Sequence, residues 1–115
     1  MRSVQVSVIV PAYNAELYIG RCLRSLLKQT LDVENYEIIV INDCSTDNTK
    51  QVINPFIGDI NYLENNKKLG LPETLNTGIK NAKGQFIIRV DADDYVHWDF
   101  LKILSMHLQL SLSID

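Results

Sequence analysis

The sequence predicts an α/β domain: a mostly parallel sheet of four strands in the order 3-2-1-4, with helices on both faces. Three observations lead there. Short β-branched runs alternate with stretches whose apolar residues recur at helical spacing, the pattern of strand–helix–strand units with right-handed crossovers. Strand one must neighbour strand four if the residues that close them, Tyr13 and Asp93, are to meet at one end of the sheet. With 115 residues, 46% of them hydrophobic, the chain can bury one core and has no room for two, so 1–115 is read as a single domain.

Strand one covers residues 4–10 and is closed by Pro11, which cannot donate to a ladder. Asn14 then offers an N-cap to a helix in which Ile19, Cys22, Leu23, Leu26 and Leu27 share one face. Strand two, residues 36–41, is broken by Asn42-Asp43-Cys44-Ser45. Asp47 and Asn48 supply caps for a short helix that Pro55 terminates. A weaker third strand, 60–63, precedes a polar loop, 64–68. Pro72 suits a first helical turn, Leu71, Leu75, Ile79 and Ala82 repeat at helical spacing, and Gly84 suits the C-terminal cap. Residues 86–90 form strand four, and a last helix spans 98–110.

Composition excludes several classes. A formal net charge of −3 gives a nucleic-acid partner no electrostatic support. No apolar stretch approaches a membrane span, and the run at 6–10 is too short and too early for a secretory signal. Cys22 and Cys44 lack paired-cysteine spacing and read as buried thiols of a reducing compartment, with one disulfide as the alternative. The chain is therefore expected in the cytoplasm, with peripheral attachment at the inner membrane surface as a compatible variant. Neither G-x-x-x-x-G-K-S/T nor G-x-G-x-x-G occurs, so a P-loop enzyme and a dinucleotide-dependent dehydrogenase are not supported. Any phosphate must be held by something other than a glycine cradle.

In parallel α/β sheets the ligand lies beyond the carboxyl ends of the strands. Strand one ends in Pro11-Ala12-Tyr13-Asn14, strand two in Asn42-Asp43, and strand four in Asp91-Ala92-Asp93-Asp94. Three carboxylates in four residues repel unless donors or a cation hold them ionised, and Mg²⁺ or Mn²⁺ is the simplest cation for oxygen ligands. The competing reading is that Asp93 or Asp94 caps the next helix. Tyr13 can stack on a base or sugar ring while Pro11 and Ala12 bring backbone close to it, unless it only packs at the sheet edge. Asp43 can accept from a pyrimidine imide N–H or a ribose hydroxyl, though a turn with Ser45 would also use it. Lys67 and Lys68 could reach a diphosphate, but lysines in polar loops are mostly solvated. His97 and His107 have no ligand-spaced partners and are not read as metal ligands.

These residues, in this order, resemble the amino-terminal half of family 2 glycosyltransferases. The matching stretches run from Val6 through Pro11-Ala12-Tyr13-Asn14, then Ile39-Val40-Ile41-Asn42-Asp43-Cys44-Ser45-Thr46-Asp47. They continue with Leu69-Gly70-Leu71, Leu75-Asn76-Thr77-Gly78-Ile79, Ala82-Lys83-Gly84 and Arg89-Val90-Asp91-Ala92-Asp93-Asp94, so nearly the whole chain is covered. The resemblance implies a truncated GT-A fold with a Rossmann-like sheet. It also implies metal-dependent, inverting transfer from a nucleotide-sugar donor, usually a UDP-sugar, in surface-polysaccharide or glycolipid assembly. By that resemblance Pro11, Ala12, Tyr13, Asn14, Asp43 and Asp93 belong to the nucleotide-sugar site, and Asp93 and Asp94 hold Mn²⁺ or Mg²⁺. Asn42 stands where members often have aspartate, and Leu75 where many branches have an arginine that could touch pyrimidine or phosphate.

Family members carry a second half with the acceptor site and the general-base carboxylate, and nothing after Leu104 resembles it. An inverting transfer needs that base to deprotonate the acceptor hydroxyl while a metal stabilises the leaving diphosphate. The chain is thus expected to hold the donor half only, with no catalytic residue of its own, the saccharide or glycolipid acceptor being bound elsewhere. Ile103, Met106, Leu108 and Leu110 are then expected to be partly exposed, or buried in a homodimer. Two other classes compete: a non-catalytic nucleotide-binding or folding module, separated by an activity measurement, and a signalling receiver. Receivers place an acidic pair after strand one, where this chain has Pro11-Ala12-Tyr13-Asn14.

Overall fold

The computed structural model describes residues 4–113. In chain order the elements are β1 (Val6–Ala12), α1 (Ile19–Leu27), β2 (Tyr36–Asn42), α2 (Thr49–Ile53), β3 (Asn61–Glu64), α3 (Leu71–Asn81), β4 (Phe86–Arg89) and α4 (Phe100–Ser113). The sheet order is β3-β2-β1-β4, as the sequence predicts, and all three pairings are parallel. β4 is an edge strand.

Alternation along β1 and β2 decides the layers. Val6, Val8, Val10, Ile38 and Val40 face one side, where they are buried with Ile19, Cys22, Leu23 and Leu26 of α1, Ile53 of α2 and Leu101 of α4. Ile9, Ile39 and Ile41 face the other, against Leu75 and Ala82 on the α3 side. Each fully buried side chain of this kind contributes roughly 1.5–3 kcal/mol relative to exposure. Pro11 lies inside β1 rather than after it. Val90 N–H donates to Ile9 O, and Pro11, two residues on, points the same way beyond the last paired residue of β4, so its missing donor costs no ladder bond.

Several local expectations are corrected by packing. Asn14 does not cap α1, whose N-cap position is Tyr18 without a side-chain bond; Asn14 instead takes φ 50° and bonds the β2–α2 loop. Pro55 ends α2 two residues ahead of itself, but the chain continues as a 3₁₀ turn over Asn54–Asp59. In α3 the inward positions are Thr74 and Gly78, while Leu71 and Ile79 remain 43% and 49% exposed. Ile79 lies about 100° around the helix from Gly78, so both cannot face the sheet. A Cβ on Gly78 would sit 2.5 Å from Ile9 Cγ2, which shows how closely α3 lies on the strands.

Gly84 is not the cap of α3 either, since that position is Ala82. Its N–H donates to Ser7 Oγ at 2.7 Å, and a Cβ there would lie 2.6 Å from Ser7 N. Both cysteines are free, Cys22 buried and Cys44 only half-buried with φ 56°. On α4, Ile103, Met106 and Leu110 are exposed and Leu108 half-buried. No helix among the described residues is long and apolar enough to cross a membrane.

Candidate functional site

The carboxyl ends of β1 and β2 and the start of α3 enclose a cavity of about 280 Å³. Pro11, Ala12 and Tyr13 from the end of β1 line it, with Asp43 after β2 and Lys68, Gly70, Leu71 and Thr74 from the loop before α3 and its first turn. Asp43 is buried. Its Oδ1 accepts from Leu69 N–H at 2.8 Å and Asn65 Nδ2 at 3.0 Å, and its Oδ2 from Gly70 N–H at 3.0 Å. Gly70 reaches this position at φ 91°, a conformation that favours glycine. Burial works against ionisation of Asp43, but the Leu69, Asn65 and Gly70 donors, with the charge of Lys68, outweigh it and hold the pKa below the usual carboxylate value. Lys68 is exposed, as expected of a lysine in a polar loop, yet its Nζ lies 3.8 Å from the centroid of the Tyr13 ring, a cation–π contact at the cavity.

The β1 and β2 ends are stitched together behind that cavity. Asn14 N–H donates to Ser45 Oγ at 3.0 Å, and Asn14 Oδ1 accepts from Thr46 N–H at 2.8 Å. Ser45 Oγ in turn donates to Asn42 Oδ1 at 2.6 Å, while Asn42 Nδ2 donates to the Tyr62 hydroxyl at 3.0 Å. The amide of Asn42 therefore uses both its ends; a carboxylate there could not donate to Tyr62. Burial, opposed by the Asn42 donor and reinforced by Glu64, pushes the Tyr62 hydroxyl up to about 12. Asp47 accepts from Thr49 N–H at 2.9 Å, so it fills the capping role at α2, whereas Asn48 makes no side-chain cap.

A second cavity, about 320 Å³, shares Pro11, Tyr13 and Leu71 with the first and adds Asn14, Tyr18, Arg89, Asp91 and Asp93. The two form one groove across the strand ends. Arg89 Nε bonds Asp91 Oδ1 at 2.6 Å. One oxygen each from Asp91, Asp93 and Asp94 lie within 4.8 Å of one another, an all-oxygen set that fits a hard divalent cation. Asp91 thus joins the pair expected from sequence. Neither Asp93 nor Asp94 caps α4, which begins at Phe100 and whose Leu101 N–H is taken by Gln29 Oε1 at 2.9 Å.

α1 and the turn that follows it grip the segment after the acidic motif. Ser25 Oγ accepts from Val96 N–H at 3.1 Å, Gln29 Nε2 donates to His97 O at 2.8 Å, and Thr30 N–H donates to Trp98 O at 2.8 Å. The Cys22 thiol lies 3.6 Å from Asp91 O, and burial first, then Asp94, Asp93 and Asp91, push its pKa up to about 12, which makes it an inert packing thiol. His97 stacks on Trp98 with ring centroids 3.8 Å apart and accepts from Asp99 N–H, which accounts for it structurally.

Lys68, Arg89, Gly70, Leu71 and Thr74 line these cavities although none was among the site residues expected from the sequence. The one available signal for Arg89 was its spacing of two from Asp91, which puts both side chains on one side of an extended chain.

The glycosyl transferase family 2 model matches residues 7–110. The poly(ribitol-phosphate) beta-N-acetylglucosaminyltransferase TarS of Staphylococcus aureus is 40% identical over 103 residues, which are 86% of this chain and 18% of TarS. Glycosyltransferase GlyG of Streptococcus pneumoniae is 36% identical over 107 residues, 90% of this chain and 35% of that protein. The crystal structure of TarS 1–349 in complex with UDP superposes with a TM-score of 0.86 at 35% identity, over 92% of this chain and 32% of that one. A TarS complex with UDP-GlcNAc gives a TM-score of 0.85 at 36% identity, over 92% of this chain and 31% of that one. A mannosyltransferase from Pyrobaculum calidifontis, in complex with GDP-Man and Mn²⁺, gives 0.75 at 26% identity, over 83% of this chain and 29% of that one. The chain thus spans about a third or less of the length of these relatives. With the family model matching residues 7–110 and the backbone superposing on TarS at a TM-score of 0.86, the chain belongs to glycosyl transferase family 2.

Proposed function

We propose that this chain is the donor-binding portion of a metal-dependent, inverting glycosyltransferase that uses a UDP-sugar. The observation that carries the reading is the groove with Tyr13 and Asp43 at one end and, at the other, Asp91 and Asp93, whose oxygens converge with one from Asp94 beside them. Tyr13 offers a ring face to the base. Asp43 uses three of the roughly four lone-pair positions of a carboxylate on its own loop, which leaves one to accept an imide N–H. Asp91, Asp93 and Asp94 would hold Mg²⁺ or Mn²⁺, and the ion, when bound, neutralises charge on the leaving diphosphate. The UDP and UDP-GlcNAc complexes of TarS support the donor class, and the Mn²⁺ complex of the mannosyltransferase supports the metal.

The acceptor belongs to a saccharide, glycolipid or other cell-surface polymer, a class supported by the poly(ribitol-phosphate) relatives. Its general base lies outside these residues, so the chain by itself turns a nucleotide-sugar over at most by slow hydrolysis. The cytoplasmic location expected from the sequence stays part of the proposal. So does a contact between two copies through the exposed Ile103, Met106 and Leu110 of α4; a monomer in sedimentation at every concentration removes that contact.

Titration calorimetry with UDP tests the metal. UDP is expected to bind at least about tenfold more tightly with Mn²⁺ than without, a difference of about 1.4 kcal/mol. Replacing Asp93→Asn and Asp94→Asn together should remove that dependence and leave the fold intact, because it relieves like-charge repulsion. Equal affinity with and without metal in the unaltered chain overturns the metal dependence.

A further inference from the structure

We propose that Arg89 is the diphosphate-binding residue of this groove, held by Asp91 until a donor displaces it. The assignment rests on the donor-binding reading above. Arg89 pairs with Ile9 in register, so its side chain leaves the sheet on the face shared by Ile9 and Pro11, where Leu71 begins α3. It is the last paired residue of β4 and lines the second cavity. The other charged residues lining that cavity, Asp91 and Asp93, are both acidic, and a diphosphate cannot lie beside them uncompensated. Lys68, the other cation lining the groove, is seated on the Tyr13 ring at the base end. Arg89 is therefore the lining cation placed for phosphate.

The state of Arg89 suits an exchange of partner. The guanidinium uses Nε on Asp91, which leaves four of its five N–H donors for other acceptors. Both side chains of the pair are nearly half exposed, at 44% and 46%, and an ion pair so open to water is weakly held. A diphosphate has more charge than a carboxylate and matches the two-pronged guanidinium, so it competes well for it. With Asp91 engaged by a divalent cation, the guanidinium is free for phosphate. Arg89 and the cation thus compete for Asp91 in the empty groove and cooperate once a diphosphate lies between them.

The test compares uridine and UDP, titrated with Mn²⁺ into the 115-residue chain, its Arg89→Gln variant and its Arg89→Lys variant. Uridine affinity is expected to be the same in all three. The advantage of UDP over uridine should fall at least about tenfold in Arg89→Gln and recover in part in Arg89→Lys, which keeps the charge and loses the fork. Mn²⁺ alone, followed by electron paramagnetic resonance, should bind Arg89→Gln more tightly than the unaltered chain, because Asp91 has lost its competitor. A merely structural role would not tighten metal binding. An unchanged UDP advantage in Arg89→Gln, or an equal loss for uridine and UDP, overturns the assignment. If the unaltered chain binds uridine with no advantage for UDP, the Arg89 assignment alone falls; if it binds neither, the donor-binding reading falls and takes this one with it.

Discussion

Asp43→Ala is expected to abolish measurable uridine binding and to lower the thermal midpoint of the chain in the same variant. The carboxylate has two jobs on opposite sides. Toward the protein it gathers Leu69 N–H, Gly70 N–H and the Asn65 amide, which brings the loop before α3 against the end of β2. Toward the cavity it offers its remaining lone pair. Hydrogen bonds to a charged group are worth about 1.5–3 kcal/mol each, but the freed loop donors can turn to water, so a net loss of about 3 kcal/mol is expected. That corresponds to roughly 10–20 °C in a domain near this size. Binding should fall by about 100-fold or more, since the cavity loses an acceptor and the wall that positions Lys68 over Tyr13. Asp43→Asn keeps the shape and one acceptor oxygen and should lose less on both counts. Unchanged uridine affinity in Asp43→Ala would show that the base does not sit in this cavity.

The same residue predicts an acid limb. Its folded-state pKa lies below the ordinary 3.8, so the unfolded chain takes up the proton first as pH falls. The stabilisation is fully present above the ordinary value and disappears as pH drops through the lower folded value. Denaturant melts from about pH 7 down to about pH 2 should therefore converge for the unaltered chain and Asp43→Ala. Asp47, shifted down in the same direction by its Thr49 and Glu16 donors against the opposing effect of burial, should leave part of the acid sensitivity in place.

The second large effect is expected at Gly84→Ala, which should destabilise the chain by about 3 kcal/mol or more, at or beyond the upper end of ordinary overpacking. The added carbon would meet Ser7 N at 2.6 Å, Ser7 Oγ at 2.7 Å and Val6 C at 2.8 Å. Two of those atoms are backbone of the central strand, which cannot give way without disturbing its ladders to both neighbours. The displaced loop would also strain a partly buried polar stitch. Ser7 Oγ donates to Glu37 Oε2 at 2.6 Å while accepting from Gly84 N–H, and Lys83 N–H donates to the same carboxylate oxygen at 2.7 Å. Gly58→Ala is the control, since a Cβ there meets nothing within 4 Å and no positive φ opposes it, so it should stabilise the chain slightly, by about 0.4–1 kcal/mol. Urea midpoints at constant slope measure both. Equal effects at the two glycines would remove the steric argument.

The order of strands and helices was legible in the sequence because both signals are local. β-branched runs and helical spacing need only a dozen residues to declare themselves, and the handedness of crossovers then leaves few arrangements. The rule that ligands lie beyond strand ends picked out Tyr13, Asp43 and Asp93 before any contact was known, and the structure brings all three around one groove. Motif order sufficed for the family.

Tertiary structure alone decided what those residues touch. Asn14 carries the same capping chemistry wherever it stands, and only the approach of the β2–α2 loop turned it away from α1. Gly84 reads as a helix cap from sequence, yet its requirement comes from Ser7, which lies far away along the chain and directly beneath it in space. Lys68 comes to line the groove because the loop tied down by Asp43 sets its ammonium over Tyr13, and Arg89 because β4 ends beside β1. Local pattern determines which faces a chain must bury, since burial depends on spacing along one element; which polar group meets which depends on the packing of elements against one another, and that is settled only when the sheet is assembled.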